Sequence, residues 1–325
     1  MSIRSLSPEL RHKLQDQYGT ALQFDVLLAR YTTARIGGPA EALIMARSAE
    51  ELAHAGRGLW DLGLDFIVLG GGSNVLVSDE GVEGVVVLNR ARDTRFMERE
   101  QGLLAVAESG AVLGTVSRLA AERGWSGLEW AATVPGTVGG AVVGNAGAHG
   151  GDMSDSITLA EILQHNGQVE SWSLARLDFG YRTSSLKRNE ESFIVLSATF
   201  AFERSTPEAC KQEIRAFSEQ RERTQPAGAS IGSMFRNPAD DYAGRLIEAA
   251  GLKGFESGGV KISEKHANFF INEGQGSAAD VYKLITKARQ AVREQFGVQL
   301  ELEIELIGDW ANKQEGIQYS NGAIQ

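Results

Sequence analysis

The residues best suited to chemistry in this 325-residue chain are three consecutive glycines followed by a serine and an asparagine, Gly70-Gly71-Gly72-Ser73-Asn74. Glycine adopts backbone conformations closed to other residues and lets a ligand approach the main chain closely. Successive free N–H groups in such a turn form a concave anion site, to which the two polar side chains would add donors. This glycine loop (residues 70–74) therefore predicts a pyrophosphate cradle, with an ordinary tight hairpin as the alternative. It is not a dinucleotide-fold fingerprint, because strand residues rather than a helix follow it.

A second glycine-rich segment covers residues 135–151. Its candidate ligand-binding residues are Pro135, Gly136, Thr137, Gly139, Gly140 and Asn145. Glycine loses more backbone entropy on folding than any other residue, so packing alone does not justify this density. We expect a flat or extended ligand to lie directly against the main chain, and two such surfaces would suit a large cofactor with a pyrophosphate and a ring system. The alternative is a pair of flexible surface loops.

The first two thirds of the chain consist of short β-rich runs with a few helices between them. Residues 48–62 are predicted to form a helix with Ser48 as N-cap, because Glu51 follows at the capping-box position. Residues 162–174 predict a hairpin that turns at Asn166-Gly167. Further strands are expected at 82–88, 103–107 and 193–202, and a further helix at 113–123.

Beyond residue 207 the sequence becomes more helical, with helices predicted at 208–223, at 243–250 and from the cap Ser277 to Gly297. Residues 298–306 then alternate strictly between apolar and polar side chains, which predicts a half-buried strand with Glu301, Glu303 and Glu305 on its polar face. We expect the polar stretch 309–325 to be frayed.

Composition excludes several classes of protein. A hydrophobic content of 42% with 23% charged residues is typical of a globular protein, and the net charge of −10 argues against a general nucleic-acid surface. No apolar stretch reaches membrane-spanning length and the N-terminus lacks a signal-peptide core, so we expect a cytoplasmic protein without membrane insertion. The single cysteine, Cys210, excludes an internal disulfide, and the five histidines show no metal-ligand spacing, so no metal is expected.

An ordered set of motifs resembles the UDP-N-acetylenolpyruvoylglucosamine reductase (MurB) family, in its shorter, type II form. The motifs occupy residues 33–40, 69–76, 135–141, 145–150, 179–182, 232–238, 243–248, 251–254 and 300–308. The chain departs from the family pattern at Thr133-Val134, at His149, where an aromatic residue is common, and at Arg236, which replaces a lysine.

The resemblance implies an α+β fold, with a FAD-binding region of the vanillyl-alcohol oxidase type and a C-terminal α+β substrate-binding domain. The FAD-binding region would cover residues 1–205 as two α+β subdomains split near 85–90. The substrate-binding domain would cover 206–308, followed by a polar tail at 309–325. The glycine loop would hold the pyrophosphate of a non-covalent FAD, and the second glycine-rich segment would lie along the cofactor.

The resemblance also implies the reaction: NADPH reduces FAD, and UDP-N-acetylglucosamine enolpyruvate is then reduced to UDP-N-acetylmuramate for peptidoglycan synthesis. Arg182 matches the family's catalytic arginine, Glu303 its glutamate and Ser233 its proton donor. Arg236 and Asn237 are candidates for substrate contacts, and Lys265 is a candidate phosphate ligand together with Lys253 and Lys261. We expect a monomer.

Two alternatives remain at this point. A flavin-dependent alcohol or sugar oxidase could share the FAD-binding fold, but the C-terminal serine, glutamate and lysine motifs disfavour it. A non-catalytic protein that binds UDP-sugars or nucleotides would need no flavin at all.

Overall fold

The computed structural model describes residues 5–100, 102–189 and 191–310, and its mixture of sheets and helices confirms the expected α+β class. None of the helices formed by these residues combines the length and the apolar character needed to cross a bilayer. The predicted polar tail lies outside the described residues except for Asp309 and Trp310.

The first part of the chain builds a four-stranded sheet with the strand order β1-β2-β5-β3. Its elements, with the separate short strand β4, are α1 (Pro8–Tyr18), β1 (Leu22–Leu27), β2 (Pro39–Ala46), α2 (Ala49–Asp61), β3 (Phe66–Leu69), β4 (Val75–Val77) and β5 (Val82–Asn89). Parallel partners flank β5 on both sides, and seven of its eight residues are buried, as its apolar sequence predicts. The predicted N-cap of α2 is confirmed, because Ser48 Oγ accepts a 3.1 Å hydrogen bond from the N–H of Glu51.

The second part builds an antiparallel sheet with the order β12-β11-β13-β7-β6 and a short strand, β8, on β13. Its strands are β6 (Thr94–Arg99), β7 (Gly102–Glu108), β8 (Trp125–Ser126), β9 (Gly147–Ala148), β10 (Gly151–Asp152), β11 (Ile157–Gln164), β12 (Val169–Ser173) and β13 (Phe193–Arg204). Its helices are α3 (Leu113–Ala121), α4 (Val138–Gly144), α5 (Met153–Ser156), α6 (Leu174–Leu177) and α7 (Ser185–Arg188). The predicted hairpin is confirmed, since β11 and β12 pair antiparallel around Asn166-Gly167.

The third part contains α8 (Pro207–Thr224), α9 (Ala243–Ala249), β14 (Glu256–Ser257), β15 (Val260–Ile262), β16 (Phe270–Asn272), α10 (Ala278–Phe296) and β17 (Glu305–Ile307). The helix α10 begins with the predicted cap, in which Ser277 and Asp280 form a capping box, and it ends at Gly297 with φ 70°. Its buried face packs against α9 and β15 in a core that also includes Phe235 and Ile304. The helix α8 instead packs on residues 129–133 and on α3, in the second part of the chain. The boundary at residue 206 stays a prediction.

The predicted strand over residues 298–306 is wrong. The alternation of buried and exposed side chains survives in part, but only Glu305–Ile307 forms a strand, and Leu302 makes an isolated bridge to Phe235. The pairing partner explains the difference. The strand β17 lies parallel to β4, whose three residues offer only three pairs, so the preceding residues bend instead of extending a ladder.

The C-terminal part is attached to the glycine-loop region at several points. Besides the β4–β17 pairing, the Asp79 carboxylate accepts hydrogen bonds of 2.7 and 2.9 Å from the first two N–H groups of α10. Trp310 is 2% exposed and its indole N–H donates to the carbonyl of Ile307, while the carbonyl of Asp309 accepts from Ser78 Oγ. The prediction of a frayed stretch is therefore wrong for residues 309–310.

Candidate active site

The two glycine-rich segments meet in one cleft of about 290 Å³. Its walls include all five residues of the glycine loop, Pro135 to Thr137 from the second segment, and Arg182, Ser233 and Glu303. At the point of closest approach, a Cβ atom added to Gly71 would lie 3.1 Å from the Cα atom of Gly136. The two segments thus touch through main chain, as their lack of side chains permits.

The glycine loop is not a tight hairpin. Its flanking strands do not pair with each other, because β3 pairs with β5 and β4 pairs with β17. Gly72 adopts φ 61°, and a Cβ atom there would lie 2.2 Å from the carbonyl oxygen of Tyr31, so only glycine fits. The backbone N–H groups of residues 71–74 donate to no group of the described chain. Four free donors in one turn form an anion-binding concavity facing the cleft.

The two polar side chains of the glycine loop have protein partners. Ser73 Oγ donates a long 3.4 Å hydrogen bond to the carbonyl of Pro135 in the second segment. Asn74 Nδ2 donates at 3.2 Å to the carbonyl of Glu303, while the Asn74 carbonyl accepts at 2.9 Å from the N–H of Glu305. Asn74 therefore joins the glycine loop to the C-terminal segment, and this bond uses one of the two N–H groups of its amide.

In the second segment, residues 138–144 form the helix α4, and Asn145 ends it in the left-handed region with φ 42°. The amide of Asn145 donates to Asp152 Oδ2 at 3.2 Å and to the Gly180 carbonyl at 3.1 Å. The N–H of Gly139 donates to the carbonyl of Ser109 at 2.8 Å. Neither Gly139 nor Asn145 is among the residues that line the cleft, whereas Gly140 is. Asn145 holds the second segment against the turn that carries Arg182.

Arg182 and Glu303 form an ion pair inside the cleft. Arg182 Nε donates to Glu303 Oε1 at 2.8 Å, and the two side chains are 28% and 19% exposed. Arg182 lies in the left-handed region with φ 55°, a conformation that costs a non-glycine residue about 1–2 kcal/mol. Burial raises the pKa of the Glu303 carboxyl, although Arg182, Arg236 and Lys187 all act to lower it.

Ser233 faces the same cleft from the C-terminal part of the chain. It follows Gly232, which has φ 85°, and makes an isolated bridge to Phe269. The next residue, Met234, accepts a 3.0 Å hydrogen bond from the N–H of Glu303, so the two segments run side by side. Among the described residues the Ser233 hydroxyl has no hydrogen-bond partner, which leaves it free for a ligand.

Five polar residues that line the cleft were not predicted as site residues: Lys187, Asn189, Arg221, Gln225 and Glu305. Lys187 Nζ pairs with Glu305 Oε1 at 2.6 Å, and Arg221 donates to the carbonyl of Thr133. The sequence placed Glu305 on the same polar face as Glu303, but no local pattern singles out Arg221 in α8 or Gln225 directly after it.

The predicted substrate residues do not line the cleft. Asn237 is exposed and its Oδ1 accepts a 3.1 Å hydrogen bond from the N–H of Ala243 at the start of α9, and Lys265 Nζ donates to the carbonyl of Glu222. Arg236 is half-buried, its Nε has no partner among the described residues, and its charge reaches Glu303. Of the three, Arg236 alone is placed to influence the cleft.

The cleft residues fit a flavin dinucleotide. The free N–H groups of the glycine loop suit a pyrophosphate, and the glycines of both segments leave main chain open to a flat ligand. In addition, Gln225 Oε1 is buried at the cleft without a partner among the described residues, so it offers a ligand an acceptor. The described part of the chain contains no group of three or more His, Cys, Asp or Glu side chains placed to hold a metal ion.

Comparison with known proteins gives the same picture. Residues 40–173 match a FAD-binding domain, and residues 224–307 match the C-terminal domain of UDP-N-acetylenolpyruvoylglucosamine reductase. The chain is 40% identical to the UDP-N-acetylenolpyruvoylglucosamine reductase of Chloroflexus aurantiacus over 286 residues, which cover 87% of this chain and 96% of that protein. It is 40% identical to the enzyme of Bacillus subtilis over 283 residues, 86% of this chain and 92% of that protein.

A solved structure extends the likeness to three dimensions. The UDP-N-acetylenolpyruvylglucosamine reductase (MurB) of Thermus caldophilus superimposes with a TM-score of 0.74 at 35% identity, covering 87% of this chain and 97% of that chain. Sequence and structure therefore agree across both halves of the molecule, and the chain belongs to the UDP-N-acetylenolpyruvoylglucosamine reductase family.

Proposed function

We propose that this chain is a FAD-dependent UDP-N-acetylmuramate dehydrogenase, which uses NADPH to reduce UDP-N-acetylglucosamine enolpyruvate. One observation carries the proposal: the Arg182–Glu303 ion pair and the unpartnered Ser233 hydroxyl share a cleft with the glycine loop. The names and coverage of the 40% identical relatives support the same activity. FAD, when bound, supplies hydride chemistry, so the protein has to supply orientation, charge and a proton.

Arg182 and Glu303 are proposed to bind and orient the carboxylate of the substrate. A guanidinium stays charged and can fork onto a carboxylate, and its attraction grows as that group gains enolate character. The left-handed backbone of Arg182 and its hydrogen bond to Glu303 hold the guanidinium ready for this contact. The raised pKa of Glu303 makes its carboxyl a better proton holder than an ordinary glutamate.

Ser233 is proposed to give its hydroxyl proton to the carbon beside the substrate carboxylate. An unperturbed hydroxyl is a weak acid, but that carbon becomes strongly basic once hydride has been added to its neighbour, so the transfer is thermodynamically matched. The free hydroxyl facing the cleft supports this role. Arg236, through its charge, and the cleft cation Arg221 would help to hold an anionic sugar nucleotide.

We further propose that the protein works as a monomer in the cytoplasm. A single cysteine excludes a disulfide within the chain, which suits a reducing compartment.

The decisive experiment measures NADPH oxidation by the FAD-loaded protein with and without the enolpyruvyl substrate. We expect rapid oxidation only when the substrate is present, with UDP-N-acetylmuramate formed in equal amount. Stoichiometric oxygen consumption with an alcohol or sugar, in the absence of the enolpyruvyl substrate, would instead identify an oxidase and refute the proposal. Purified protein that takes up no FAD would refute it as well.

A further inference from the structure

Two ion pairs connect the same two segments of the cleft. Arg182 and Lys187 lie in residues 180–188. Their partners are Glu303, just before β17, and Glu305, the first residue of β17. Lys187 Nζ lies 2.6 Å from Glu305 Oε1, and these side chains are only 20% and 18% exposed. A charge this poorly solvated is expensive to leave unpaired, so each member of the second pair depends on the other.

The backbone fixes both ends of the second pair. The N–H of Glu305 donates to the carbonyl of Asn74, and β17 pairs with β4 beside the glycine loop. On the other side, Ser184 Oγ donates at 2.7 Å to the carbonyl of Val143 and accepts from the N–H of Lys187, which anchors α7. The Lys187–Glu305 pair therefore lies between two anchored elements.

The spacing places the second pair next to the first. Glu303 and Glu305 both line the cleft, while Ile304 between them is 3% exposed in the core. The positive charge of Lys187 acts on Glu303, as do those of Arg182 and Arg236.

Charged side chains from three segments of the chain lie around Glu303. Arg182 and Lys187 come from residues 180–188 and Arg236 from the segment after Ser233. Glu305 and the exposed Glu301 belong to the same segment as Glu303. Lys187 and Glu305 carry opposite charges and pair with each other, whereas Arg182 pairs with Glu303 directly.

We propose that Lys187 and Glu305 are a positioning pair. The pair holds the Glu303 segment against the Arg182 turn, and its two opposite charges add no net charge beside the Glu303 carboxylate. Neither residue needs to touch the substrate for this role. The role in turnover rests on the proposed function, but the effect on Glu303 itself does not. In the intact pair, burial and Arg182 act most strongly on Glu303, and Arg236 and Lys187 act on it less.

Opposite single substitutions test the proposal. Lys187→Met removes a positive charge and leaves Glu305 unpaired, so the pKa of Glu303 should rise. Glu305→Gln removes a negative charge and leaves Lys187 unpaired, so the pKa of Glu303 should fall. In the double variant K187M/E305Q both charges are gone, and the pKa should return close to the wild-type value. Glu301→Gln is the matched control, because Glu301 is exposed on the same segment and should change the titration little.

The primary readout is the ¹³C NMR titration of the Glu303 carboxyl in the FAD-loaded protein without substrate, assigned by its loss in Glu303→Gln. The acid limb of the kcat profile should follow the NMR titration: it should move to higher pH in Lys187→Met and to lower pH in Glu305→Gln. Shifts of the same sign in both single variants, no shift in the isosteric Glu305→Gln, or an equal shift in Glu301→Gln would each overturn the proposal.

The two readouts separate this proposal from the proposed function. Opposite NMR shifts without any turnover of the enolpyruvyl substrate would uphold the pair and refute the function. Normal turnover together with an unchanged Glu303 titration in Glu305→Gln would uphold the function and refute the role of the pair. A Lys187→Met protein that fails to fold leaves Glu305→Gln, which changes no side-chain volume, as a sufficient test.

Discussion

The substitution Ser233→Ala should separate catalysis from stability. The hydroxyl of Ser233 has no hydrogen-bond partner among the described residues, so its removal strands no buried donor or acceptor. Substitutions of this kind usually change the free energy of unfolding by less than about 0.5 kcal/mol. We therefore expect urea midpoints and FAD content indistinguishable from those of the unmodified protein.

Activity should respond very differently. Loss of a general acid typically costs about 10² to 10⁴-fold in rate, which corresponds to roughly 3 to 5 kcal/mol of transition-state stabilisation. The loss should fall on one half-reaction only. In stopped flow, reduction of bound FAD by NADPH should stay near normal, while reoxidation by the enolpyruvyl substrate should collapse. Ser233→Cys should recover part of the rate.

Ser230→Ala provides the matched control, because only the backbone carbonyl of Ser230 is used, as an acceptor for Thr33 Oγ1. It should leave both half-reactions unchanged. Reoxidation of Ser233→Ala within a few-fold of the unmodified rate would show that water or another group supplies the proton. A loss of several kcal/mol in unfolding free energy would show that the hydroxyl is structural.

Three further outcomes follow from the site and its attachments. The raised pKa of Glu303 means that ionising this carboxyl costs stability as the pH rises from its ordinary value of 4.5 through its folded-state value. Glu303→Gln removes this cost but leaves the charge of Arg182 unpaired, so the denaturant midpoint of the variant should fall less between acid and neutral pH than that of the unmodified protein. Gly72→Ala should abolish FAD binding or folding because of its backbone clash, whereas Gly63→Ala, with φ 66° and open space around it, should cost only about 1–2 kcal/mol in urea titrations. Asp79→Ala should lower the unfolding free energy by about 1–2 kcal/mol by removing two acceptors from the first turn of α10, while Glu80→Ala should be neutral; equal midpoints for the last two would contradict the capping role.

Much of the local structure could be predicted from the chain itself. The caps at Ser48 and Ser277 and the turn at Asn166-Gly167 depend on neighbouring backbone groups, so short patterns suffice to find them. The glycine loop could also be identified from the sequence, because the absence of a Cβ atom is a property of the residue itself. Motif order likewise indicated the family and its FAD chemistry, which the comparisons confirm.

At residues 298–306, periodicity alone gave a wrong prediction. Alternation made Glu301, Glu303 and Glu305 equivalent on one long strand, but β4 offers β17 only three partners and the chain bends before it. Only Glu303 then meets Arg182, and Glu305 meets Lys187.

Charge and donor placement in the cleft was also beyond local reasoning. Asn74 and Asn145 were predicted only as ligand-binding residues, whereas the fold also uses both to join distant segments. The sequence predicted a helix at 208–223 without singling out Arg221, which lines the cleft because of the way α8 packs. The chain by itself determined the backbone freedom of its glycines, its helix caps and its family. Long-range packing decided which side chains meet, because contacts, burial and the pKa of Glu303 depend on groups more than a hundred residues away.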